Sequence, residues 1–76
     1  MNNRVKIDFD ALDRWRATHG IESEKEMCER AGLNPDTLKR IKSGARSLTL
    51  LTVEAFYNAY GIEFTPDDEL SIYQYV

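Results

Sequence analysis

The sequence predicts an all-α fold: a compact bundle of four to five short helices, two of them forming a helix-turn-helix, with a C-terminal tail that is either a helix or a short strand. Three observations predict it. Four stretches open on a residue that caps helices and run to a glycine: Asp8 to Gly20, Ser23 to Gly32, Asn34 to Gly44 and Thr49 to Gly61. Apolar residues recur inside each stretch at helical spacing. Apolar residues make up 42% of the chain and charged residues 30%, a balance that suits one small soluble domain better than a disordered chain. That domain is read as residues 1–76, with its core over about 8–62 and the tail over 63–76.

The first helix is expected over residues 8–19, where Phe9, Leu12 and Trp15 recur every three residues and Gly20 stops the pattern. Ser23 caps the second, with Glu26 at the spacing of a capping box, and Met27, Cys28 and Ala31 form its inward stripe. Gly32 falls just past its end, where a left-handed residue is usually required. The third helix opens on Asn34-Pro35, a strong cap followed by a residue whose missing N–H has no partner at the first helical position. Thr49 caps a fourth helix near 50–60, whose Leu50, Val53, Phe56, Tyr57 and Tyr60 read as an apolar stripe belonging to the core. In the tail, Thr65, Pro66 and the acids at 67–69 signal a helix start, while Leu70 to Val76 reads equally well as a strand. Its apolar surface, together with the fourth helix, suits a symmetric dimer.

On a helical wheel the third helix sorts its side chains cleanly. Asp36, Lys39, Arg40 and Ser43 share one face at i, i+3, i+4 and i+7; Leu38 and Ile41 occupy the opposite face; Thr37 and Lys42 lie on the flanks. A short helix, a tight glycine turn and a second helix with clustered cations form an arrangement that puts a helix into the DNA major groove. Arg grips guanine O6 and N7 with two hydrogen bonds, Lys reaches guanine or phosphate, and Asp accepts from cytosine N4. An ordinary solvated helix face has the same periodicity.

The net charge of −3 is unevenly spread. Residues 1–22 balance, residues 23–46 carry six cations against four acids, and Lys39, Arg40, Lys42 and Arg46 follow one another with no acid between them. Residues 47–76 hold five acids and no Lys or Arg. Phosphates feel the local patch, because charges beyond about 10 Å are largely screened at ordinary salt.

Residues from about 12 to 62 resemble the Cro/CI-type helix-turn-helix family of phage and bacterial regulators, with a lambda repressor-like fold. The resemblance rests on Arg16 and Gly20, then Ser23, Met27, Cys28, Ala31, Gly32 and Leu33, then Leu38, Arg40, Ile41 and Gly44, and on Tyr60-Gly61-Ile62. It implies four or five helices, operator binding as a homodimer, and control of transcription, often in a lysis–lysogeny circuit. Carried over by position, Pro35, Asp36, Lys39 and Arg40 would face bases. Asn34, Thr37, Lys42, Ser43 and Arg46 would touch the phosphate backbone or position the helix, and Ser23 completes the DNA-contact set. The chain departs from the pattern in two places: Glu24 stands where the family usually has a phosphate- or base-holding Gln, and Glu22 is an extra residue before Ser23.

The rival reading is a protein-binding module on the same fold, antitoxin- or antirepressor-like, which the acidic ends, Glu24 and Asp36 favour. The sequence gives no reason to expect an enzyme, a small-molecule substrate, a cofactor or a metal. One His and one Cys make neither a Cys/His metal site nor a thiol–base pair credible, and no Gly-rich phosphate loop is present. His19 is expected at a helix end, where it meets the dipole favourably, and the lone Cys28 is read as a small buried residue. No apolar run approaches a bilayer span and no hydrophobic leader follows Met1, so the expected location is the cytoplasm, without membrane contact.

Overall fold

Each helix begins where a short polar side chain takes up N–H groups that the first turn leaves free. The computed structural model describes residues 4–76, and the reading of the segment directly after Met1 lies in part outside them. The elements run β1 (Val5–Ile7), α1 (Phe9–Thr18), α2 (Glu24–Arg30), α3 (Pro35–Ser43), α4 (Leu50–Tyr60) and β2 (Tyr73–Tyr75). Asp8 accepts from the N–H groups of Asp10 and Ala11 at 3.1 and 3.2 Å, Ser23 from Glu26 at 3.1 Å, Asn34 from Asp36 at 2.9 Å and Thr49 from Thr52 at 3.3 Å. The helix starts are therefore those the caps dictate. The capping box of α2 is displaced by one residue: the Glu26 carboxylate accepts from the Glu22 N–H at 3.1 Å, not from that of Ser23.

The fold is mainly helical but not all-α. β1 and β2 pair antiparallel, Val5 opposite Tyr75, Lys6 opposite Gln74 and Ile7 opposite Tyr73. The Asp8 N–H donates to the Ile72 carbonyl at 2.7 Å and the Val76 N–H to that of Arg4 at 3.0 Å, so the ladder continues at both ends. The tail is thus a strand. The acids at 67–69 start no helix, because Asp68 uses its carboxylate locally, accepting from the Leu70 N–H at 2.9 Å in a side-chain turn that competes with helix formation.

The core is shared by every element. Leu12, Met27, Leu38, Phe56 and Tyr73 are all at most 1% exposed. Tyr60 donates its hydroxyl to the Met27 carbonyl and meets Trp15 edge-on at 5.1 Å, tying α4 to α2 and α1. His19 ends α1 with its Nδ1 2.8 Å from the Trp15 carbonyl and its ring stacked on Trp15. The stripe expected on α4 needs correction: Leu50 and Tyr57 are 71% and 56% exposed, and the buried line runs through Thr52 and Phe56. The helix is apolar nearly all round, so periodicity does not choose its inward face. Burying Thr52 costs little because its hydroxyl lies 3.0 Å from that of Thr49.

Candidate nucleic-acid interface

The site is built on the pairing of α2 with α3. Gly32 adopts φ 76°, a left-handed conformation that lets the chain reverse between the helices at no steric cost. The Leu33 N–H then donates to the Cys28 carbonyl at 2.8 Å, closing the turn. Gly44, at φ 84°, ends α3 in the same way, and its N–H donates to the Ile41 carbonyl. Leu38 is buried and Ile41 half-buried against the core, which fixes the rotation of α3 about its axis.

That rotation leaves Asp36, Lys39, Arg40, Lys42 and Ser43 exposed, with Pro35 and Thr37 half-buried. Among the described residues Lys39, Arg40 and Arg46 make no salt bridge and no side-chain hydrogen bond. Arg46 follows on the loop after α3, its N–H donating to the Arg40 carbonyl at 3.2 Å. Three other members of the candidate set are committed to structure: Ser23 and Asn34 cap their helices, and Ser43 donates its hydroxyl to the Arg40 carbonyl at 3.1 Å.

Lys42 differs most from a free phosphate contact. Its ammonium lies 3.2 Å from the Glu24 carboxylate and 5.3 Å from the centre of the Phe9 ring. Glu24, the residue that departs from the family pattern, is thereby paired across the two helices. Glu22, the extra residue, presents its carbonyl to Arg16 at 2.9 Å; the same guanidinium reaches the Ile21 carbonyl and Asp13 and so pins the link between α1 and α2.

Burial, helped by the Glu24 and Glu29 carboxylates, pushes the Cys28 thiol up to about 11, so it stays protonated at neutral pH and is a poor nucleophile. No group of three or more His, Cys, Asp or Glu placed to hold a metal ion occurs among the described residues, and no helix there is long and apolar enough to cross a membrane. Sequence reasoning missed Arg4, just before β1, and Lys6 on it, two exposed cations. The alternation Arg4-Val5-Lys6-Ile7 was a strand signal too short to stand alone. Comparison with protein-family models, curated proteins and solved structures finds no match to this chain.

Proposed function

We propose that the chain is a sequence-specific DNA-binding regulator of transcription, of the Cro/CI type, that inserts α3 into the major groove of an operator and binds as a homodimer in the cytoplasm. One observation carries the reading: Leu38 is 1% exposed against the core while Lys39 and Arg40, directly after it, project into solvent without an intramolecular ion pair among the described residues. Neither cation is committed to an acid of its own chain among the described residues, so both are free to reach the phosphates and guanine edges of a duplex.

In this reading Arg40 is the strongest base reader, Lys39 and Asp36 sit beside it, and Asn34, Thr37, Lys42, Ser43 and Arg46 position the helix or meet phosphate. Enrichment of bound duplexes from a random pool, followed by titration of variants on the selected site, is the test. Arg40→Ala should cost about 1–3 kcal/mol and relax preference at one base pair, whereas Lys42→Ala should weaken all duplexes alike. Six phosphate contacts would make affinity fall on the order of a thousandfold between roughly 50 and 200 mM salt. Failure to enrich any duplex, with a flat salt response, would instead favour the protein-binding module. Glu24 and Asp36, acids on or beside the reading helix, are the observations on that side.

A further inference from the structure

A groove of about 820 Å³ lies between β1 and the C-terminal end of α3. Its lining includes Arg4 just before the strand and Lys6 on it, and Lys42 and Arg46 from the helix end and the loop after it. Among the described residues no Asp or Glu side chain lines it. Cations near a helix C-terminus are expected on electrostatic grounds alone, and that accounts for Lys42 and Arg46. It does not account for Arg4 and Lys6, which come from the opposite part of the sequence and are held there by the pairing of β1 with β2.

Strand geometry explains how they are presented. Side chains alternate across a sheet, so Ile7, buried, and Val5, half-buried, turn toward the core, while Arg4 and Lys6 share the other side and stay exposed. The hydrogen bonds from Asp8 to Ile72 and from Val76 to Arg4 bracket the strand and fix its main chain. Among the described residues neither cation makes a salt bridge. Phe9 and Ile41 lie among the groove's lining residues, and Ser43 joins it to the exposed face of α3.

We infer that this groove is a second phosphate-binding surface, in which Arg4 and Lys6 grip the DNA backbone flanking the base pairs read by α3. The inference rests on the proposed operator binding and extends the contact surface from the helix-turn-helix to the sheet. Neither cation faces the bases in this arrangement, so they add affinity for any duplex and carry no sequence preference.

The test is the Arg4→Gln/Lys6→Gln double variant, titrated against the pool-selected duplex and a scrambled one across salt concentrations, with thermal melting as a check on folding. Losing two phosphate contacts per protomer, four per bound dimer, should flatten the fall in affinity between roughly 50 and 200 mM salt by about 150-fold, equally for both duplexes. The Arg4→Lys/Lys6→Arg pair, which keeps the charges, should restore the wild-type slope even if glutamine perturbs the strand. Unchanged affinity and slope in the glutamine variant, with Arg40→Ala still losing its base preference, would overturn the groove and leave the α3 reading standing. A wild-type protein that binds neither duplex would overturn both.

Discussion

At the scale of single residues, the contact between Lys42 and Glu24 sets how much of the cationic cluster a polyanion meets. The pair is partly exposed, with Glu24 more covered than Lys42, so its own contribution to stability is small. On the proposed reading its effect on DNA binding is larger in kind. A carboxylate at the start of α2 repels phosphate, and it also holds a cation that phosphate would otherwise attract. Glu24→Gln removes both penalties at once. On the proposed reading it should tighten binding to all duplexes equally and steepen the salt dependence by about one phosphate's worth per protomer, a slope change near 1.8 for the dimer. Fluorescence anisotropy at several salt concentrations checks it, and weaker binding would mean that Glu24 holds Lys42 in its productive position. The identity of these two residues was legible in the sequence, and so was the expected repulsion at Glu24. Their pairing was not, because it joins positions far apart in the chain whose approach depends on how α2 crosses α3.

At the scale of elements, what the sequence made legible was local and what it concealed was not. Caps at Asp8, Ser23, Asn34 and Thr49 act within three residues, so helix starts could be read directly. The rotation of α3 was legible too, since Leu38 and Ile41 are its only apolar pair on one side. α4 was misread because nearly every side of it is apolar, leaving the choice of inward face to tertiary packing. β1 was invisible for a further reason: a three-residue strand exists only through its partner, and that partner is β2, at the far end of the described chain. The tail is consequently part of the core. Tyr73 is fully buried and its ring lies 5.1 Å from that of Phe64, yet its hydroxyl has no hydrogen-bond partner among the described residues, and burial raises its pKa well above the usual phenol range. These facts separate two substitutions. Tyr73→Ala empties a large core site and should cost about 3–5 kcal/mol. Tyr73→Phe keeps the ring and removes an unpaired buried hydroxyl, so it should be neutral or stabilising by about 1 kcal/mol. Chemical denaturation of the two variants reads both, and equal losses would show that the hydroxyl is hydrogen-bonded in solution.

At the scale of the whole molecule, the charge and apolar patterns divide the surface between two tasks. Lys39, Arg40, Lys42 and Arg46 cluster on α3 and the loop after it, while the charged side chains of residues 47–76 are all acids. Exposed apolar side chains concentrate on the acidic part: Leu50, Leu51, Tyr57, Phe64 and Leu70 are 71%, 67%, 56%, 46% and 88% exposed. Leu50 and Phe64 border a groove of about 310 Å³ with Val5, Leu48 and Val53. A second copy of this chain is the occupant the proposed operator binding calls for, because two-fold operators need two recognition helices about 34 Å apart. Leu50 and Leu51, exposed on α4 and not packed on the core, are removable without touching it, whereas Phe64 lies against Tyr73. Leu50→Ser/Leu51→Ser should therefore melt close to wild type but sediment as a monomer at concentrations where the proposed dimer forms. It should keep its affinity for a half-site while losing the cooperative gain on a full palindrome. A wild-type chain that stays monomeric on and off DNA would remove the dimer from the proposal. Base reading by α3 would then have to come from a single protomer, with the flanking grip of Arg4 and Lys6 supplying affinity that a second subunit would otherwise provide.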